Sequence, residues 1–90
     1  MPRYANVRPA ELHRLLLRMG FTETARNHHR HYHHDGLGLR TRMSFGNKEI
    51  DADTMGDIIT KQLRMTIDEF REAMNGNIPK RFTNPEFWNN

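Results

Sequence analysis

A dense cluster of histidines is the feature of this 90-residue chain most able to do chemistry. Five of its six histidines lie within the seven residues from His28 to His34, which read His-His-Arg-His-Tyr-His-His. Histidine is the only side chain whose unperturbed pKa lies between pH 5 and 8, so neighbouring imidazoles can accept and donate protons near neutral pH. The cluster therefore favours general acid–base chemistry.

Basic side chains surround the histidines. From Arg26 to Lys48, five basic residues face only Asp35, which gives a formal charge of +4 with neutral histidines. The following stretch, residues 49–72, has seven acids against three bases and a charge of −4. Proton-transfer groups in a cationic segment suggest a polyanionic substrate, and nucleic acid is the obvious one.

The composition limits the class of protein. With 36% hydrophobic and 28% charged residues, the chain is expected to form one soluble globular domain with a small core. The absence of cysteine excludes disulfide frameworks, cysteine-based zinc sites and thiol nucleophiles. It fits a reducing compartment, and we expect a cytoplasmic protein. No apolar stretch is long enough to span a bilayer, and residues 1–7 lack the apolar region of a signal peptide.

Apolar periodicity predicts helices at both ends of the domain. The first runs from Pro9 to Met19, with an apolar stripe at i, i+3, i+4 and i+7, and ends at Gly20. The second begins near Asp51 or Asp53. The third follows Thr66-x-x-Glu69, a capping-box pattern. The domain is expected to cover residues 1–76, and residues 77–90 form an irregular tail that is too apolar to be a solvated linker.

Alternating patterns predict three antiparallel strands between the first two helices. They run from Phe21 to Arg26, from His29 to His34 and from Leu37 to Phe45, where Gly46-Asn47 closes the last one. Asp35-Gly36 is a strong hairpin signal. The expected fold class is α+β, with helices on one face of a three-stranded antiparallel sheet and the other face open.

The alternation divides the histidines between the two faces of the sheet. His29, His31 and His33 share one face, while Arg30, Tyr32 and His34 share the other. If Tyr32 faces the helices, the first three lie on the open face. One imidazole could then deprotonate a ribose 2′-hydroxyl and a second could protonate the leaving oxygen, while cations stabilise the phosphate. The expected catalytic residues are His29, His31 and His33, and the expected RNA-binding residues are Arg26, Asn27, His28, Arg30, Arg40, Arg42 and Lys48.

Two other interpretations of the histidines stay open. In the first interpretation, they are ordinary polar residues on a solvated strand. In the other, the His-x-His spacing binds a metal ion such as zinc or nickel. Because the chain lacks cysteine and only Glu23 and Asp35 are acids close in sequence, we expect neither a metal nor another cofactor.

Several short motifs, taken in order, also match a known pattern across roughly residues 8–74. They are Gly20-Phe21, His29-Arg30-His31-Tyr32-x-His34, Asp35-Gly36, Lys48-Glu49-Ile50, Lys61-Gln62-Leu63 and Thr66-x-x-Glu69-Phe70. In this order and spacing the chain resembles the HicA family of toxin–antitoxin ribonucleases, as a divergent member. It departs from the family pattern at Asn27-His28-His29, where the family usually has Gly-Ser-His, and at Phe45, where a polar residue or histidine is usual.

The resemblance implies a double-stranded-RNA-binding-like fold, α-β-β-β-α, here with an additional C-terminal helix. It implies an mRNA-cleaving toxin whose single catalytic histidine begins the second strand, a position that His29 occupies. It also implies an antitoxin partner that would cover the cationic face. The alternative is an RNA-binding or protein-interaction module on the same scaffold, without catalysis, encoded for instance by a phage or mobile element.

Overall fold

The computed structural model describes residues 7–26, 29–44 and 48–88. These residues form an α+β structure that begins with one helix, continues with three strands and ends with further helices. Its elements are α1 Pro9–Arg18, β1 Thr22–Arg26, β2 His29–His34, β3 Leu39–Ser44, α2 Ala52–Asp57, a π-helical turn Ile58–Gln62, α3 Ile67–Met74, α4 Lys80–Thr83 and a 3₁₀ turn Pro85–Phe87. The predicted order of helix, three strands and two helices is confirmed.

The first helix forms as its sequence predicts. Pro9 occupies the first turn, where its missing N–H costs nothing, and the apolar stripe includes Leu12, Leu15 and Leu16, which are fully buried. Gly20 ends the helix in the left-handed region, with φ +92°, which glycine adopts without steric cost. The chain then turns directly into β1.

The three strands form an antiparallel sheet in the order β1-β2-β3. Burial alternates along β3, where Leu39, Thr41 and Met43 are buried and the residues between them are exposed. On β2, Tyr32 and His34 are only 1% and 2% exposed. The helices therefore cover one face of the sheet and leave the other open, as the alternation predicts.

The turn between β2 and β3 differs from the expected two-residue hairpin. Four residues, 35–38, connect the strands, and the left-handed residue is Gly38, with φ +67°. Gly36 is required for a different reason, because a Cβ atom there would overlap the indole ring of Trp88. The glycine thus allows close approach of the C-terminal segment to the turn.

The C-terminal segment is more ordered than the irregular tail that the sequence predicts. It includes α4 and the 3₁₀ turn, and Phe82 is fully buried. The indole N–H of Trp88 donates to the Arg81 carbonyl oxygen at 2.7 Å, and His34 Nε2 donates to the Phe82 carbonyl oxygen at 2.7 Å. Residues 77–88 therefore pack on the domain beside the β2–β3 turn.

An ion pair attaches this segment to α3. Arg81 donates from both terminal nitrogens to the Glu69 carboxylate, at 2.7 and 3.0 Å. Glu69 also completes the predicted capping box with Thr66, whose backbone N–H it accepts at 3.0 Å. The Arg81 hydrogen bonds are the main reason that the pKa of Glu69 is lowered.

None of the helices within the described ranges combines the length and the apolar character needed to cross a bilayer.

Two glycine substitutions should change stability in opposite directions. Gly36→Ala should lower the free energy of unfolding by about 1–3 kcal/mol, because the methyl group displaces Trp88. Gly56→Ala, at a helical position with open space around it, should raise it by about 0.5–1 kcal/mol. Trp88 is the only tryptophan, so its emission should shift to the red in the first variant alone. Denaturant titration with fluorescence detection tests both. Unchanged emission in Gly36→Ala would contradict the packing described.

The Glu69–Arg81 pair should make stability depend on pH. Because the pKa of Glu69 is lowered in the folded state, its contribution is fully present above the unfolded value of about 4.3 and is lost as the pH falls through the folded value. Glu69→Gln should therefore cost at most about 1 kcal/mol at pH 7, since both side chains are about a third exposed, and almost nothing at pH 2. Melting curves at both pH values test this, with exposed Glu86→Gln as control; an equal cost at both would exclude a charge effect.

Candidate functional site

The predicted row of histidines lies on the open face of the sheet. His29, His31 and His33 alternate with the residues that β2 buries and are themselves half-buried. In an antiparallel sheet, directly paired residues project to the same face. The register pairs His31 with Arg42 and His33 with Arg40, so the two guanidinium groups that the sequence predicts there stand beside the imidazoles.

The geometry brings two imidazoles close together. The ring centroids of His29 and His31 are 6.4 Å apart, and the ring planes are inclined at 66°. A hydrogen bond from a ring nitrogen spans about 2.8 Å, so the two rings can reach different oxygens of one phosphodiester. Because a neutral imidazole accepts a proton and a protonated imidazole releases one near neutral pH, this pair can take one proton and supply another.

His33 has a different environment at the end of the strand. Its Nε2 atom lies 3.8 Å from the Asp35 carboxylate, and both side chains reach solvent. His33 thus lies beside Arg40 and Asp35 at the end of the row, apart from the close His29–His31 ring pair.

Neither arginine on the open face is neutralised by a carboxylate. Within the described part of the chain, Arg40 and Arg42 form no ion pair, and both are exposed. A shallow hollow of about 230 Å³ lies between them and is lined by His31, Arg40, Thr41, Arg42 and Gln62. None of the described residues that line the hollow is acidic, so both guanidinium groups at its rim are available to a phosphate.

A larger groove of about 440 Å³ lies at the His29 end of the face. His29, Arg42, Ser44 and Lys48 line it, which brings predicted residues from three parts of the chain together. Asp51 and Glu49 line it as well. The Asp51 carboxylate caps α2 by accepting from the Thr54 hydroxyl at 2.6 Å and the Thr54 N–H at 3.2 Å, and these bonds lower its pKa. Cations and anions therefore balance in this groove.

One predicted binding residue is not brought to the site. Arg30 projects to the face opposite the histidine row, together with Tyr32, and its Nε atom lies 3.5 Å from the Glu23 carboxylate. The Arg30 guanidinium therefore lies on that side of the sheet. The described structure therefore does not place Arg30 with the other predicted cations. Its position follows from the same alternation that places His29, His31 and His33 on the open face.

Some predicted residues fall outside the described structure. They are Asn27 and His28 between β1 and β2, Phe45 with the closing Gly46-Asn47, and the side chain of Arg26.

Two histidines form hydrogen bonds on the side of the sheet that the helices cover. His34 packs edge-on against Phe21 and Trp88, accepts from the Leu37 N–H at 3.1 Å and donates to the Phe82 carbonyl, which fixes the orientation of its ring. His13 on α1 bonds the Tyr32 hydroxyl at 2.7 Å, and burial raises the pKa of that hydroxyl. The open-face histidines are thus only part of the cluster.

Gln62 lines the hollow beside the arginines, although no pattern in the sequence predicts it there. It lies at the end of the π-helical turn, half-buried, and accepts a hydrogen bond from the Thr41 hydroxyl. The helical pattern of residues 51–63 does not show that this side chain meets β3, because the contact depends on how the turn packs.

The described residues contain no group of three or more histidine, aspartate or glutamate side chains arranged to hold a metal ion. The chain matches no protein-family model, no curated protein and no solved structure.

The two open-face arginines should carry the binding of a polyanion. Arg40→Gln and Arg42→Gln should each weaken binding of a fluorescent single-stranded RNA about tenfold at low salt and reduce the slope of log K against log [salt] by about 0.7. Arg14→Gln on α1 changes the net charge equally and should have little effect. Anisotropy titrations at several salt concentrations test this. Equal losses in all three variants would mean that net charge, rather than this face, binds RNA.

Proposed function

We propose that this protein is a small endoribonuclease that binds RNA on the open face of its sheet and cleaves it without a metal ion. The observation that carries the proposal is the row of His29, His31 and His33 in cross-strand register with Arg40 and Arg42 on a face that the helices leave free. Phosphate-binding cations and proton-transfer groups thus occupy one surface. An RNA strand can reach all of them together.

The reaction uses the 2′-hydroxyl of the RNA as the nucleophile. One neutral imidazole of the His29–His31 pair removes the 2′-hydroxyl proton as O2′ attacks phosphorus, and the protonated partner delivers a proton to O5′ as the P–O5′ bond breaks. The products are a 2′,3′-cyclic phosphate and a 5′-hydroxyl. Arg42, paired with His31, stabilises the negative charge that develops on the phosphoryl oxygens.

The sequence motifs extend the proposal to a biological setting. The α-β-β-β-α order is compatible with the double-stranded-RNA-binding-like fold that the HicA resemblance implies. On that basis we assign the protein as a divergent HicA-like toxin of the cytoplasm whose substrate is mRNA. A protein antitoxin would inhibit it by covering the histidine–arginine face, since an acidic partner complements a basic active surface.

One observation favours binding without cleavage as the second candidate. Asn27-His28 precedes His29 where HicA proteins carry Gly-Ser, and a larger side chain limits close approach of the RNA backbone. The protein would then bind RNA, or a protein partner, on the same face and cut nothing.

Substitution of single histidines distinguishes the two functions. His29→Gln and His31→Gln should each reduce the cleavage rate about 10²–10⁴-fold while leaving RNA affinity within a few-fold, because a general acid or base acts only in the reaction. His13→Gln, off the open face, should cleave at close to the wild-type rate. Melting curves confirm that each variant folds. Wild-type protein that binds RNA and leaves it intact would establish the binding function instead.

The reaction predicts three further results in the same assay. A single 2′-deoxy substitution at the cleaved position should abolish cutting there, because the nucleophile is missing. A chelator should leave the rate unchanged, and the rate should be bell-shaped against pH because one imidazole must be neutral and the other protonated. Loss of activity in the chelator would favour a metal-dependent reaction and overturn this mechanism.

A further inference from the structure

We propose that the hollow between β3 and the π-helical turn is a base-binding subsite in which the Gln62 amide reads the edge of one RNA base. This inference rests on the proposed function and deepens it, because it assigns how the RNA is recognised next to the phosphate-binding residues. Four features support it: the backbone of the turn, the hydrogen bond that orients Gln62, the lining of the hollow and its size.

The backbone that presents Gln62 is unusual. Residues Ile58–Gln62 form a π-helical turn, closed by a 2.8 Å bond from the Leu63 N–H to the Ile58 carbonyl oxygen. Arg64 follows with φ +55°, a region that residues other than glycine rarely adopt. Single π-helical turns inside α-helices occur frequently at functional sites, and strained backbone clusters there too. A regular helix over the same residues would place residue 62 differently relative to β3.

A hydrogen bond fixes the orientation of the Gln62 amide. Thr41 projects to the covered face of β3 and is only 6% exposed, and its hydroxyl donates to Gln62 Oε1. The amide nitrogen therefore points away from Thr41. Among the described residues, no group accepts a hydrogen bond from it, and no buried side-chain polar atom lacks a partner. The amide thus presents two donor hydrogens at the surface, held in one orientation.

The hollow places this amide beside the phosphate-binding residues. His31, Arg40 and Arg42 line it together with Thr41 and Gln62. A phosphate bound by the arginines brings the attached nucleotide within reach of the edge of β3. Its base can then turn over the edge strand towards Gln62, while a planar guanidinium group offers a stacking surface.

Size and donor chemistry define the ligand. The hollow is small, about 230 Å³, and open to solvent, so it offers the edge of one base a contact surface beside Gln62. The amide hydrogens require a base edge that presents a hydrogen-bond acceptor, and Oε1 keeps a second lone pair for a donor. Glutamine makes such paired contacts with base edges in other complexes.

The test is the base preference of cutting in a pool of RNA that is randomised around the cleaved bond. Wild-type protein should favour one or two bases about tenfold at one position next to the cut, and Gln62→Ala should make that position uniform. Thr60→Ala, an exposed residue on the same turn, should keep the wild-type preference. Melting curves establish that the variants fold.

Thr41 is a positioning residue in this proposal and has its own control. Thr41→Val removes the hydroxyl but keeps the shape, and it should weaken the preference at the same position. Thr41→Ser restores the hydroxyl and should rescue the preference. A purely structural role in the sheet would not produce this recovery of base preference.

The outcomes separate this inference from the proposed function. If Gln62→Ala cuts with the wild-type base preference, the subsite is wrong while the nuclease stands. If the wild type binds RNA without cutting, sequencing of the bound fraction of the same pool gives the preference, and its loss in Gln62→Ala still supports the subsite. If the wild type neither binds nor cuts RNA, the proposed function fails and the subsite fails with it.

Discussion

The alternation of side chains along the central strand is the constraint on which this structure depends. Tyr32 and His34 are buried under the helices. Because side chains alternate along a strand, His31 and His33, and His29 before them, project to the other face. A shift of one residue would bury the His29, His31 and His33 row and expose the core positions. The same packing that stabilises the domain therefore fixes the direction of its histidines.

The buried histidine of this strand also connects the site to the C-terminal segment. His34 uses both ring nitrogens, one with the Leu37 N–H in the β2–β3 turn and one with the Phe82 carbonyl. Trp88 packs against the same ring and against Gly36. His34 and Trp88 thus both contact the turn that joins the histidine strand to the arginine strand.

The charged residues of segments 26–48 and 49–72 are distributed over both faces of the sheet, which the net charges of the two segments do not show. The positive segment divides between faces: among the described residues, Arg40 and Arg42 on the open side form no ion pair, whereas Arg30 lies near Glu23 on the other side. From the acidic segment, Glu49 and Asp51 line the groove at the His29 end of the face. If RNA binds this face as we propose, its backbone would contact Arg40 and Arg42 beside His31 and His33, with the cleaved bond towards His29.

The sequence by itself determined the fold class, the three strands and the alternation that groups His29, His31 and His33 on one face, because periods of 2 and 3.6 residues are local properties. It also predicted Arg40 and Arg42 on the open face of β3, and the burial of Tyr32 in the structure decided that the three histidines share that face. Only the tertiary structure decided that Gln62 meets Thr41, that Gly36 accommodates Trp88 and that residues 77–88 pack on the domain. These contacts join residues far apart in the chain, and their geometry depends on how whole elements pack, which no local pattern encodes.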